Sequence, residues 1–304
     1  MGRRRFLKSL FGLGTVGETT ESAADAAPAA TRRHVGATNF FWANLQNGQI
    51  GFPTGMAVPR GMPGSVMKLI TGAALRESGI VTDHTTVECR GTVEVHREKY
   101  SCLYPHGHVD LTKAIGLSCN VFFATMSAKL NGHTVLDFAT KFGLSTAIAD
   151  YGTAPFPTES HADVVALALG LSPEVQPNAL QLLRVAALVA LHGKTPPLHN
   201  AVEAPKDSDV FSASLSPSTW MILQQGMRIC GREGTAKSLD IEDKLKGAFK
   251  TGTSPHGKAW QSWIVGYFPY EAPRYAFALR SSAGTSVEAA VPEAQRYLLG
   301  NEWP

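Results

Sequence analysis

The stretch Gly61-Met-Pro-Gly-Ser-Val-Met-Lys68 leads directly into the apolar run Leu69-Ile-Thr-Gly-Ala-Ala-Leu-Arg76. Apolar residues at helical spacing predict a helix that begins near Ser65. Positions three apart share one face of a helix, so we expect the Ser65 hydroxyl and the Lys68 amine to lie close together. A lysine with a lowered pKa can take the proton of a serine hydroxyl, which makes the pair a candidate nucleophile and base. Taken alone, the tetrapeptide is better explained as a serine cap followed by a solvated lysine.

Length and composition are those of an ordinary globular protein. The 304 residues, 44% of them hydrophobic and 17% charged, are enough for one large domain or two small ones. The formal net charge of +3 is too small to indicate nucleic acid as a partner.

The cysteines and histidines do not form a recognisable metal motif. Four cysteines are present: Cys89, Cys102, Cys119 and Cys230. None belongs to a C-x-x-C pair, which argues against a zinc site. Cys89 and Cys102 could form a disulfide outside the cytoplasm, and two unrelated thiols are an equal alternative. His106 and His108 resemble a metal-binding pair, but histidines near a turn are more often structural, so we assign no metal and no cofactor.

The N-terminus has the pattern of an export signal. Arg3-Arg-Arg-Phe-Leu-Lys8 matches the core of a twin-arginine signal, and a short apolar run and the alanine-rich stretch Ala23-Ala-Asp-Ala-Ala27 follow. The apolar run is too short to span a bilayer. We therefore expect a periplasmic or other extracytoplasmic protein, with a signal or disordered segment at 1–32 and one domain at 33–304. A disordered basic tail is the alternative interpretation, and cleavage of the segment is left open.

Hydrophobic patterns along the body predict an α+β fold. Weak alternation and the turn signal Asn47-Gly48 predict a strand and hairpin within 34–52, and 150–161 is predicted to be a loop. Helices are predicted at 111–117, 121–130, 134–142, 177–192, 217–230 and 287–299. Three strands are predicted at 247–253, 259–268 and 274–280, with a turn at 254–257 between the first two. An early strand, inserted helices and late strands together predict an antiparallel sheet flanked by helices, with an all-helical lobe.

Two further motifs follow the first in chain order. Ser118-x-Asn120 lies between two predicted helices, and Lys250-Thr-Gly-Thr253 lies on the first of the three late strands. The ordered set Ser-x-x-Lys, Ser-x-Asn and Lys-Thr-Gly is shared by penicillin-binding proteins and class A β-lactamases. Over roughly residues 34–300 the chain resembles the transpeptidase domain of penicillin-binding proteins, in the serine penicillin-recognising superfamily. Flanking segments that agree with the resemblance are 63–68, 106–111, 118–123, 226–227, 234–236 and 263–269.

This resemblance implies acyl transfer through a serine acyl-enzyme. Ser65 would attack a carbonyl carbon, with Lys68 as the base that receives its proton. Ser118 would relay a proton to the leaving nitrogen, and Asn120 would hold both the substrate amide and Lys68.

The Lys-Thr-Gly strand would bind the rest of the substrate. By the same resemblance, Lys250 with the hydroxyls of Thr251 and Thr253 would receive the substrate's terminal carboxylate. Gly252 would let the substrate backbone lie along the strand edge. The oxyanion hole would be formed by the backbone N–H groups of Ser65 and Thr253.

The acceptor of the acyl group stays open at this point. An amine acceptor would give a D-Ala-D-Ala transpeptidase that cross-links peptidoglycan stem peptides, binds β-lactams covalently and works with cell-wall synthesis proteins. Water would give a hydrolase, either a DD-carboxypeptidase or a β-lactamase, and a slow penicillin-binding sensor is the non-enzymatic alternative. Glu174 and Asn178 have the spacing of the class A deacylating pair, although their surroundings resemble penicillin-binding proteins. Asn120 argues against a class D enzyme or a receptor-like sensor.

Overall fold

The computed structural model describes residues 37–52, 57–148, 151, 156–157, 162–200, 210–301 and 303. In chain order the strands are β1 (Thr38–Asn44), β2 (Ile50–Gly51), β3 (Val87–Cys89), β4 (Thr92–Val95), β5 (Glu98–Ser101), β6 (Gly107–Val109), β7 (Lys194–Thr195), β8 (Phe211–Ser212), β9 (Ala248–His256), β10 (Ala259–Phe268) and β11 (Tyr275–Ser281). The helices are α1 (Met67–Glu77), α2 (Leu111–Gly116), α3 (Asn120–Ser127), α4 (Gly132–Lys141), α5 (Val164–Ala168), α6 (Ala179–Ala190), α7 (Pro217–Arg232) and α8 (Val291–Leu299).

The main sheet is antiparallel and has the order β2-β1-β11-β10-β9. Along β11, Ala276 and Ala278 face one core while Phe277 and Leu279 face the other, as the two-residue period of a strand requires. Helix α6 covers the first face, and α8 lies against the second. Because both faces are buried, these strands are almost continuously apolar. Strand β9 is at the edge of the sheet.

The second part of the fold is a helical lobe centred on α1. Residues 67–75 of α1 are all buried, and the helix packs against α3, α4 and α7. Side chains cap the lobe's helices, including Asp110 on α2 and Asn131 on α4. Two small antiparallel pairs, β3–β6 and β4–β5, lie against α3. The predicted α+β architecture of an antiparallel sheet, flanking helices and a helical lobe is therefore confirmed.

Several predicted element boundaries differ from the structure, and the helix predicted at 121–130 ends at Ser127. The first helix begins as a 3-10 turn at Gly64–Val66 before α1. The closing helix begins as a π-helical turn at Ser286–Ala290, and α8 follows with a proline in its first turn, where no backbone donor is needed. The turn predicted at 254–257 lies later, at Gly257 and Lys258, because β9 continues to His256. Pro255 is accommodated since β9 is an edge strand, where a missing N–H costs no ladder bond.

The export segment at 1–32 and most of the predicted loop at 150–161 lie outside the described residues. Within the ranges that are described, none of the helices combines the length and hydropathy that crossing a bilayer requires.

Candidate active site

Ser65 lies in the 3-10 turn that precedes α1, and this turn packs directly on strand β9. Gly64 has a φ of 53°, a conformation that favours glycine, and a Cβ added there would overlap the backbone of Thr253. A Cβ added at Gly252 would in turn overlap the carbonyl oxygen of Pro63. Two glycines on opposite sides of the contact therefore allow the turn and the strand to approach each other.

The amine of Lys68 is fully buried and points at the Ser118–Asn120 turn. Its Nζ donates to the carbonyl oxygen of Ser118 at 2.7 Å and to Oδ1 of Asn120 at 2.5 Å, and it lies 3.4 Å from the Ser118 hydroxyl. Burial, reinforced by the nearby Lys250 cation, lowers the pKa of Lys68 to about 7. The lysine can therefore exist as a neutral base near neutral pH.

Lys250 approaches the same hydroxyl from the sheet. Its Nζ donates to Oγ of Ser118 at 3.0 Å and to the carbonyl oxygen of Thr251 at 3.0 Å. Burial lowers the pKa of Lys250 to about 8. The Ser118 hydroxyl thus lies between two buried amines, one from the lobe and one from the sheet, and can pass protons between them and the groove above.

The Ser118–Asn120 turn is held by contacts to Ser101 and Cys102. Ser118 has a φ of 55°, a left-handed conformation that is uncommon for a residue other than glycine. Asn120 begins α3, and its Nδ2 donates to the carbonyl oxygen of Ser101 at 2.6 Å. The backbone N–H of Asn120 donates to the Cys102 sulfur at 3.2 Å. These contacts orient both side chains toward Lys68.

Strand β9 presents its threonines to a groove of about 790 Å³. The Thr251 hydroxyl contacts that of Thr235, which follows α7, and the Thr253 hydroxyl accepts from the backbone N–H of Ser286 at 2.9 Å. The residues predicted from the motifs that line this groove are Ser65, Ser118, Asn120, Thr251, Gly252 and Thr253. Lys68 and Lys250 are buried beneath it, so all eight predicted residues come together beside the free edge of the sheet.

Several residues of the groove were not predicted from the sequence. Thr235, Trp260, Ser286 and Glu288 line it together with the motif residues. Thr235 was signalled only by its place in the flanking segment 234–236. The others are brought in by the hairpin after β9 and by the π-helical turn, which no local pattern connects to the motifs.

The Glu174 and Asn178 pair does not form part of this groove. Asn178 is the N-cap of α6, where its side chain and that of Gln181 form a reciprocal capping box. Glu174 is not among the described residues that line the groove. The spacing that suggested a class A deacylating pair thus places the asparagine in a structural role.

The chain matches the family of the penicillin binding protein transpeptidase domain over residues 43–294. It belongs to that family. No curated protein sequence matches it.

Solved structures with the same fold include a peptidoglycan synthase complex and penicillin-binding proteins. One of them is a chain of a peptidoglycan synthase complex, from a structure that concerns the coordination of polymerization and crosslinking. It has a TM-score of 0.74 at 20% identity, and the match covers 88% of this chain and 56% of the synthase chain. Penicillin-binding protein PBP2 of Helicobacter pylori has a TM-score of 0.72 at 20% identity, and the match covers 87% of this chain and 60% of the PBP2 chain. PBP2 of Pseudomonas aeruginosa, in complex with WCK 5153, has a TM-score of 0.72 at 21% identity, and the match covers 88% of this chain and 75% of the PBP2 chain. The chain therefore spans 56% and 60% of the length of the first two structures.

Proposed function

We propose that this chain is a serine D-Ala-D-Ala transpeptidase that cross-links peptidoglycan and is acylated by penicillins at Ser65. The observation that carries the proposal is the Ser118 hydroxyl between Nζ of Lys68 and Nζ of Lys250, at the groove that Ser65 lines. A serine nucleophile, a buried neutral base and a proton relay are the groups that acyl transfer needs.

In the proposed acylation, Lys68 takes the proton of the Ser65 hydroxyl as Oγ attacks the carbonyl carbon of the penultimate D-Ala. The backbone N–H groups of Ser65 and Thr253 stabilise the oxyanion, and the close packing of Gly64 on Thr253 supports this pairing. The C–N bond then breaks, and the departing nitrogen receives a proton through Ser118. Terminal D-Ala leaves as a free amino acid.

Deacylation reverses these steps with a new nucleophile. The amine of a second stem peptide loses a proton through Ser118 and Lys68 as its nitrogen attacks the ester carbon, and Ser65 regains its proton when the C–O bond breaks.

The free edge of β9 receives the donor peptide as an added strand, with its carboxylate held by Lys250 and by the hydroxyls of Thr251 and Thr253. β-Lactams would enter by the same route.

The proposal extends to location and partners. One domain at 33–304 would act outside the cytoplasm after export through the twin-arginine signal at its N-terminus. Among the structures with this fold are a peptidoglycan synthase complex and a complex of PBP2 with MreC from Helicobacter pylori, which motivates the search for cell-wall synthesis partners. Replacing Arg3 and Arg4 by lysine should stop export of a fused reporter, and unchanged export would contradict the assigned route.

Mass spectrometry of the intact protein after treatment with a fluorescent penicillin tests the nucleophile. We expect a stable adduct that maps to Ser65, disappears in Ser65→Ala and persists in Ser78→Ala, a matched change at the exposed far end of α1. Rapid loss of the adduct would indicate a β-lactamase. Absence of any adduct on the unmodified chain would indicate an inert homologue.

Release of D-Ala from a pentapeptide stem tests the acceptor. A transpeptidase releases D-Ala and forms a cross-linked product when an amine acceptor is supplied. Release without cross-linking would identify a carboxypeptidase. Acylation by penicillin with no release of D-Ala would identify a sensor.

A further inference from the structure

Four side chains behind the Ser118–Asn120 turn converge on one point. Sγ of Cys89 lies 3.7 Å from Sγ of Cys102 and 3.4 Å from Nδ1 of His106, and Sγ of Cys102 lies 3.8 Å from Sγ of Cys119. All four atoms are within 4.8 Å of one another. The three cysteines are buried and His106 is half-buried.

These separations match the edges of a tetrahedral zinc site. With Zn–S bonds of about 2.3 Å and a Zn–N bond of about 2.0–2.1 Å, sulfurs in a tetrahedron are about 3.8 Å apart and sulfur and nitrogen about 3.6 Å apart. A disulfide requires about 2.05 Å between sulfurs. The three measured edges, at 3.7, 3.8 and 3.4 Å, fit the metal rather than the disulfide.

The surroundings of the sulfurs are suited to thiolates. The backbone N–H of Asn120 donates to the sulfur of Cys102 at 3.2 Å, and the N–H of Phe122 donates to the sulfur of Cys119 at 3.3 Å. Hydrogen bonds of this kind orient and stabilise metal-bound ligands. We propose that Cys89, Cys102, His106 and Cys119 bind one structural zinc ion. With four protein ligands the coordination is closed, so the ion positions residues and does not take part in the chemistry.

The proposed ion would tie the Ser-x-Asn motif to the small sheets of the lobe. Cys119 lies between Ser118 and Asn120, and Cys102 follows Ser101, whose carbonyl oxygen holds the Asn120 side chain. A bond from zinc to each of these cysteines would maintain the left-handed conformation of Ser118, which the chain alone disfavours. This positioning role rests on the proposed acyl transfer, whereas metal binding itself does not.

Metal content of the full chain, purified without chelators, tests the binding directly. We expect one zinc per chain by elemental mass spectrometry, and cobalt(II) substitution giving the charge-transfer and d–d bands of tetrahedral thiolate coordination. Cys89→Ser and His106→Ala should each lose stoichiometric zinc. Their matched controls, Cys230→Ser at a buried thiol outside the cluster and His108→Ala at an exposed histidine, should keep it.

Several outcomes would overturn the proposal: no bound metal, zinc retained in both ligand variants, or a disulfide between Cys89 and Cys102 in the exported protein. If a ligand variant fails to fold, the cobalt(II) spectrum of the unmodified chain still tests the proposal. A spectrum of octahedral cobalt, or one without thiolate charge-transfer bands, would contradict the proposed site.

Removal of zinc and its return test the positioning role. We expect chelation to slow acylation by a fluorescent penicillin about 10–100-fold, and added zinc to restore the rate. An unchanged rate in zinc-free protein would refute the positioning role while leaving metal binding intact. A zinc-loaded chain that is never acylated would instead refute the proposed function.

Discussion

Two buried lysines, Lys68 and Lys250, both contact the hydroxyl of Ser118, and their pKa values differ. Burial, together with repulsion from the Lys250 cation, lowers the pKa of Lys68 to about 7. Burial also lowers the pKa of Lys250, but only to about 8, and Cys230 acts against the shift. At a pH between these two values, the proposed base is neutral while the proposed carboxylate-binding group stays charged. The same residue type thus supplies a base and a cation a few ångströms apart.

The rate of acylation should therefore have a bell-shaped pH dependence. Below a pH of about 7 Lys68 becomes protonated and cannot take the serine proton, and above about 8 Lys250 loses the charge that attracts the substrate carboxylate. Second-order rate constants with a fluorescent penicillin, measured on both sides of neutrality, would show the two limbs. A flat profile would contradict the role of Lys68 as base.

Asn120→Asp should move the acidic limb of that profile to higher pH. The new carboxylate would take the place of the amide oxygen that lies 2.5 Å from Nζ of Lys68, and an anion at that distance raises the pKa of a lysine by about 1–3 units. Asn131→Asp is the control, since it keeps the N-cap of α4 and adds the same charge far from the groove. Equal profiles for the two variants would refute the contact between Asn120 and the base.

The 3-10 turn at Gly64–Val66 is placed by contacts between elements. The backbone N–H of Gly64 donates to the carbonyl oxygen of Gly170, just after α5, at 3.0 Å. From the sheet, the hydroxyl of Ser254 on β9 donates to the carbonyl oxygen of Met62 at 2.7 Å. The indole N–H of Trp263 on β10 donates to the same oxygen at 3.1 Å. Lobe and sheet therefore both hold the segment that carries the candidate nucleophile.

Gly64→Ala should be more damaging than Gly79→Ala at the other end of α1. Both glycines have positive φ, so each change costs about 1–2 kcal/mol of backbone strain, but only the Cβ at position 64 would overlap Thr253. We expect a larger loss in the free energy of unfolding, measured by urea denaturation, and a slower acylation for Gly64→Ala alone. Equal losses in the two variants would show that the turn does not pack on β9 as described.

At the scale of the whole molecule, a buried charge contributes to the contact between the lobe and the sheet. Arg184 on α6 is 5% exposed and donates to three carbonyl oxygens in the segment after α4: Gly143 at 3.0 Å, Thr146 at 3.1 Å and Ala147 at 2.8 Å. Burial lowers the pKa of its guanidinium to about 10. Since α6 also covers the main sheet, this side chain is one of the contacts that join the two parts of the fold.

Arg184→Met should destabilise the protein by about 1–3 kcal/mol, because buried carbonyl oxygens lose their donor while the apolar volume is largely kept. Arg90→Met, at a side chain 79% exposed and paired with Glu88, should change the free energy of unfolding by less than about 0.5 kcal/mol. Chemical denaturation followed by circular dichroism provides both values. If Arg184→Met were as stable as the unmodified chain, the inferred link between lobe and sheet would be wrong.

Local sequence predicted most of the elements and the motif residues. The starts of the helices at 111 and 217, the apolar α6 and the three late strands were all predicted, since periodicity and turn chemistry act over a few residues. The turn at 254–257 was predicted too early because the place of a strand in a sheet is not encoded locally, and an edge position is what allows Pro255 to remain in β9.

The amino-acid sequence by itself determined the family, the α+β class and the identity of the motif residues, because each depends on short patterns in a known order. Only the folded chain brings Lys68 and Lys250 onto one hydroxyl, and only the folded chain gathers Cys89, Cys102, His106 and Cys119. Sequence spacing predicts a metal site when a single turn supplies two of the ligands. Here the four side chains come from a strand, loops and a helix cap that are separate along the chain. Their convergence is a property of packing.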